Sequence, residues 1–163
     1  MNKICGKQED FSIFRVDGSR IVIGYGLKEA ENDLYEWYEI YFYKKQKNSL
    51  SLQDVKDAII GDINTRITNQ IVGGFKWDGK PVWFSLENQI NFSQSTAPCT
   101  IKIGENEDGS PVYVEFSTKA ELKAFNDACL AWKNECLEAG RAEKENIDWT
   151  QYEELFPQDE PES

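Results

Sequence analysis

The period of the hydrophobic positions changes along the chain, and each change predicts an element. Up to about residue 46 the pattern is short and strand-like. FSIFRV (11–16) and RIVIGYG (20–26) flank Asp17-Gly18, a turn pair that tolerates positive φ and so favours a hairpin. After the polar patch KEAEND comes LYEWYEIYFYKK (34–45). Its alternating faces are Leu34, Tyr38, Ile40, Phe42 and Tyr35, Trp37, Tyr41, Tyr43, with one glutamate on each. A strand that is apolar or aromatic on both faces is covered on both sides or meets a partner.

From Ser51 the period lengthens to that of a helix. Leu52, Val55, Ile59, Ile63, Ile67 and Ile71 recur at three- and four-residue steps, with Asp57, Asp62, Asn64, Arg66 and Asn69 facing away. Ser51 and Asp54 have the spacing of a capping box, and Gly73-Gly74 stops the helix. FKW and KPVWF then pair across Asp78-Gly79, and Ser85 caps a short helix from Leu86. TIKIG (100–104) and PVYVEF (111–116) predict a further hairpin joined by ENEDG. Thr118 with Glu121 opens a last long helix with Leu122, Phe125, Cys129, Trp132 and Cys136 on one face. The fold class is therefore α+β: an N-terminal antiparallel β-sheet, then a helix–β-hairpin–helix domain with a C-terminal amphipathic helix. The corresponding partition is 1–46, 47–152 and an acidic flexible tail, 153–163.

Charge and cysteine content narrow the classes. The 163 residues carry a formal charge of −11, which opposes a duplex-binding surface because phosphate contacts need clustered Lys and Arg. The basic stretch Lys44-Lys45-Gln46-Lys47 reads as a solvated loop. Four cysteines form no CxxC pair and histidine is absent, so the usual zinc sets lack neighbouring ligands. Cys129 and Cys136 lie roughly 10 Å apart along a helix, beyond disulfide reach, and read as reduced core thiols. MNKICGKQEDF has no apolar run, so neither a membrane anchor nor a secretory signal is expected, and synthesis is cytosolic.

Catalysis finds little to build on. Without histidine, a Cys-His or Ser-His arrangement is excluded. Glu36 with Glu39, or Asp57 with Asp62, can be proposed as carboxylate pairs, but in so acidic a chain they read as solvated faces. Asp54, Asp57 and Asp62 lack calcium-loop spacing, ENEDG reads as a hairpin turn, and no phosphate-binding glycine loop occurs. The expectation is a non-enzyme without cofactor or metal.

Aromatic residues make up 13% of the chain, and they supply the candidate sites. Trp77 and Trp83, with Asn88 and Gln89 beside them, have the residue types of a shallow glycan-binding site. The competing reading is that this hairpin covers the isoleucine stripe of the helix before it. Tyr35, Trp37, Tyr41 and Tyr43 of the strand, with Trp149, Tyr152 and Phe156 near the C-terminus, are the candidate protein interface. The alternative for these is packing within the chain.

The run VKDAIIGDINTRITNQIVGGFKWDGKPVWFSLENQINF (55–92) resembles a known family. It is an uncharacterised domain of phage and prophage structural-gene clusters, often within or beside tail fibre and tail-tip proteins. Ile60, Ile63, Asn64 and Ile71 match its helix, Gly74, Phe75, Asp78 and Gly79 its turn, and Ser85, Gln89 and Asn91 its polar segment. A later helix bearing Phe125 completes the outline, and WYEIYFYKKQ (37–46) is similar to versions from phages of Bacteroides-type gut bacteria. The resemblance covers about residues 35–152 and carries over no catalytic residue. It implies a virion protein made in the bacterial host cytoplasm, acting in tail assembly or host adhesion. Its partners would be other tail or fibre proteins or further copies of itself, with neither nucleic acid nor membrane. The lack of a long fibre shaft favours a small virion component over a receptor-binding fibre. A carbohydrate-binding module and a tail-fibre assembly chaperone are the alternatives.

Overall fold

The structure is a computed structural model that describes residues 2–43 and 50–156. The order of elements is β1 (Asn2–Gly6), a 3-10 turn (Gln8–Asp10), β2 (Arg15–Asp17), β3 (Arg20–Glu29), β4 (Tyr35–Tyr43), α1 (Leu52–Gly73), β5 (Phe75–Trp77), β6 (Lys80–Val82), α2 (Leu86–Gln94), β7 (Cys99–Glu105), β8 (Pro111–Phe116), α3 (Lys119–Glu145) and α4 (Thr150–Glu153). It is the expected α+β fold, with an N-terminal antiparallel sheet followed by helices and small hairpins. The chain divides into two compact units, one of residues 1–63 with 142–163 and one of residues 64–141. This cut differs from a partition at residue 46, because α1 and α3 each contribute to both units. The Lys44–Lys47 run and the tail beyond Phe156 lie outside the described residues.

In the first unit four strands lie in the order β1-β4-β3-β2, all neighbours antiparallel. The double-sided aromatic pattern of β4 is explained by this order, since β4 is an inner strand paired to β1 and β3. Strand β1 was not legible in the polar N-terminal stretch; its pairing aligns Ile4 with Trp37. On β3 the five residues Ile21 to Tyr25 are all buried. A continuous buried run means that both faces of the strand are covered. Segment 11–14 covers one face so closely that a Cβ on Gly24 would meet the Ser12 carbonyl oxygen at 2.3 Å. On the other, the Tyr25 hydroxyl donates to the Asp62 carboxylate of α1. Asp62 is thus a correction: it sits among polar positions in sequence, yet it is 7% exposed because a buried phenol needs an acceptor.

The segment 147–156 folds on this same unit. The Tyr152 hydroxyl donates to the Gly24 carbonyl at 2.8 Å, and Phe156 meets Phe14 edge-on at 5.9 Å. Lys56 of α1 lies 5.5 Å over the Trp149 ring and 3.4 Å from the Glu153 carboxylate. A four-residue helix has no stability of its own, and these contacts supply what it lacks.

The second unit is built on phenylalanines. Phe125 of α3 is fully buried, with ring centroids 5.1 Å from Phe92 of α2, 5.1 Å from Phe116 of β8 and 5.4 Å from Trp77 of β5. The hairpins β5–β6 and β7–β8 meet at a backbone bond from Trp83 N–H to the Ile103 carbonyl, 2.7 Å. Glycine permits that approach: a Cβ on Gly104 would stand 2.3 Å from the Pro81 carbonyl oxygen. Gly140 serves α3 similarly, since a Cβ there would reach Ile67 at 2.7 Å. The isoleucine stripe of α1 is buried throughout, from Leu52 at 3% exposed to Ile71 at 9%. The expected caps are present: Ser51 and Asp54 exchange bonds of 2.8 and 3.2 Å, Ser85 Oγ accepts from Asn88 N–H, and Thr118 pairs with Glu121.

Cys129 and Cys136 are buried on the apolar face of α3, and all four cysteines are free. Burial pushes the Cys129 thiol up to about 12 and raises that of Cys136, with the Glu135 charge adding to it. Thiolate is the reactive form, so iodoacetamide at neutral pH is expected to label exposed Cys5 while sparing Cys129 and Cys136. Peptide mapping after native and denatured labelling checks this. Equal rates at Cys5 and Cys129 in the native protein would contradict the packing of α3.

Candidate functional site

The proposed carboxylate pairs do not converge. Glu36 and Glu39 are three apart on a strand and so point to opposite faces. Glu36 lies 2.8 Å from Lys3 and 3.6 Å from Lys28, while Glu39 is only 3% exposed. The solvated-face expectation for Glu39 is therefore corrected. Its carboxylate accepts from both terminal guanidinium nitrogens of Arg15 at 2.5 and 3.1 Å, from Trp37 Nε1 at 3.2 Å and from the Tyr41 hydroxyl at 2.9 Å. Burial alone would raise this carboxyl; the bonds from Arg15, Trp37 and Tyr41 outweigh it and hold it below the usual carboxylate range. Asp57, by contrast, lies exposed and accepts from Gln53 at 2.7 Å.

The seven candidate interface residues separate. Trp37 and Tyr152 are 2% and 3% exposed and belong to the core of the first unit. Trp37 packs edge-on against Phe11 at 6.0 Å, and burial pushes the Tyr152 phenol up to about 12. Tyr35, Tyr41, Trp149 and Phe156 are half-buried; Tyr43 alone among the seven stands 68% exposed. What the surface offers a partner here is thus Tyr43 and the edges of four other rings. Trp37 is enclosed by β1, where a Cβ on Gly6 would come within 2.9 Å of its ring, and by Phe11, and Tyr152 by the docking of α4 on Gly24.

The glycan candidates divide as well. Trp77 is half-buried with its ring against Phe125. Gln89 is tied at both ends of its amide, donating to the Phe84 carbonyl at 3.2 Å and accepting from Lys133 at 2.8 Å. Trp83 and Asn88 instead line one open cleft of about 750 Å³ in the second unit, which Trp77 and Gln89 do not reach. Its apolar floor is Val82, Phe92 and Ile101; its polar wall includes Asn91, Thr100 and Asn106. That volume lies within the range of ligand-binding clefts. Asn91 stood in the sequence beside the other amides. Thr100 and Asn106 carried no such signal, because only the β6–β7 junction brings them to Trp83.

The ENEDG loop is a turn. Asp108 accepts from Ser110 N–H and Oγ at 2.9 and 2.6 Å, which lowers its carboxyl pKa, and Gly109 takes φ +80°. Among the described residues no group of three or more His, Cys, Asp or Glu is placed to hold a metal ion. Nor is any helix among them long and apolar enough to cross a membrane.

No curated protein and no solved structure matches the chain. A family model does match, over residues 54–160, which take in α1 from Asp54 onward, both small hairpins, α2, α3 and α4. By that match, over well more than half of its length, the chain belongs to the family of a domain of unknown function (DUF4376).

Proposed function

We propose that this chain is a non-enzymatic structural protein of a phage particle, on the tail or elsewhere on the virion surface, acting in assembly or host adhesion. The observation that carries the reading is the stretch 55–92. In sequence it resembles a domain of phage structural-gene clusters, and in the fold it supplies Trp83, Asn88 and Asn91 to the open cleft. An exposed indole beside amide side chains suits a protein that holds another molecule, and it favours adhesion within the proposal. The partners are then other virion proteins or further copies of the chain, with Tyr43 the most accessible aromatic of the sheet. Mass spectrometry of purified particles from a producing host is the test. Recovery of the chain at stoichiometric abundance supports the reading. Its absence from particles, with abundant protein in the lysate, would replace it with an assembly chaperone.

A further inference from the structure

From the cleft beside Trp83 we infer a binding site for a neutral oligosaccharide, in which Trp83 is the stacking platform and Trp77 has no part. Trp83 is 56% exposed, although Val82 before it and Phe84 after it are 1% and 6% exposed. A large indole left out between two core residues is held there by its backbone. Its N–H donates to Ile103 at 2.7 Å, and its carbonyl accepts from Asn88 Nδ2, also at 2.7 Å. A Cβ on Gly73 would lie 3.8 Å from the ring, so the ring packs against the helix end at that point. The platform is therefore positioned before any ligand arrives, which reduces the entropy lost on binding.

The polar wall indicates the ligand. Lys102 and Glu105 are the charged side chains of the lining, and they pair with each other at 2.6 Å. The lining thus has no net charge, and the chain around it is strongly acidic. An anionic ligand would have to break that pair and approach a negative molecule. The remaining groups are neutral hydroxyls and amides. Asn88 keeps its amide oxygen, Asn106 donates only to Ser110 through its amide nitrogen, and Asn91 makes no side-chain bond among the described residues. An amide both donates and accepts, as a sugar hydroxyl does, and the C–H face of a pyranose suits the face of an indole. An open cleft with one aromatic platform implies weak binding, with Kd on the order of 1 mM.

The inference rests on the adhesive side of the proposed function, but it is tested on the isolated chain. A failure here leaves particle membership standing, and absence from particles leaves the cleft standing. The probes are neutral gluco-, manno-, galacto- and N-acetylglucosamine oligosaccharides, with sialylated and sulfated ones alongside, followed by saturation-transfer NMR and tryptophan fluorescence. At least one neutral oligosaccharide is expected to bind, with affinity falling about tenfold or more in Trp83→Ala and unchanged in Trp77→Phe. Asn91→Ala, at an exposed side chain whose loss leaves the fold intact, is expected to weaken binding several-fold. This variant guards against a folding defect in Trp83→Ala. No binding by any neutral member at concentrations on the order of 10 mM would overturn the inference. So would binding that survives both cleft substitutions, or a preference for the anionic probes.

Discussion

Phe125→Ala is expected to destabilise the second unit by about 3–5 kcal/mol. Phe125 is fully buried and touches three other rings, from β5, α2 and β8, with centroids 5.1 to 5.4 Å away. Truncation loses the transfer energy of the ring and opens a cavity between aromatic walls that are themselves fixed by backbone pairing, so collapse is limited. Urea unfolding with intrinsic fluorescence measures the effect and its locality together. Trp77, edge-on to Phe125, should shift toward the emission of exposed indole, whereas Trp83 is already exposed and should not change. A loss under about 1 kcal/mol would mean that Phe125 is not the centre of this core.

The second large effect is electrostatic. Arg15→Met removes the cation from Glu39 and leaves a carboxylate that is 3% exposed with only Trp37 and Tyr41 as donors. Breaking a fully buried pair costs about 3–5 kcal/mol; the Arg15 side chain is 40% exposed, so water replaces part of it and about 2–3 kcal/mol is expected. The pH dependence identifies the cause. In the wild type Glu39 is held below its ordinary value of 4.5, so its contribution is full above that value and is lost as pH falls through the folded-state pKa. Without Arg15, burial dominates and raises the folded-state pKa, and protonation then relieves the variant. The stability difference between the two proteins should therefore be greatest where Glu39 is ionised in both, above the variant's raised pKa, and shrink as acidification protonates it, in the variant first. A difference that stays constant down to pH 3, by thermal unfolding in a pH series, would assign the loss to packing of the arginine stem instead.

The isoleucine stripe of α1 and its caps were legible from residues alone because both are local. The three- and four-residue spacing defines a face within one helix, and a cap requires only side chains three positions apart. Hairpins at Asp17-Gly18 and Asp78-Gly79 were legible for the same reason: positive φ at a turn is a property of the turn residues, and Gly18, Asp78 and Gly79 adopt it. Which side of the aromatic strand met what was not legible. Its two faces are equally apolar in sequence, and the choice between core and interface for Trp37 was made by β1, whose own stretch carries almost no signal. Glu39 and Asp62 looked like surface charges because Arg15 and Tyr25, which bond them, lie 24 and 37 residues away, and sequence spacing does not encode such partners.

The sequence by itself determined the α+β class, the order of helices and hairpins, the caps and the burial of the apolar stripes. Each of these depends on neighbours within one or two turns. Tertiary structure alone decided what each face of the hairpin FKWDGKPVWF meets: the two-residue turn puts its tryptophans on opposite faces, and only packing assigns one of those faces to the core. Trp77 lies in register with Lys80 and turns to Phe125, whereas Trp83, just past the pairing, bonds its backbone to Ile103 and leaves its ring in the cleft. That difference depends on β7, about twenty residues further along the chain. Alternation across the two-residue turn separates the two indoles; packing against α3 and β7 decides which face is covered and which is left in the cleft.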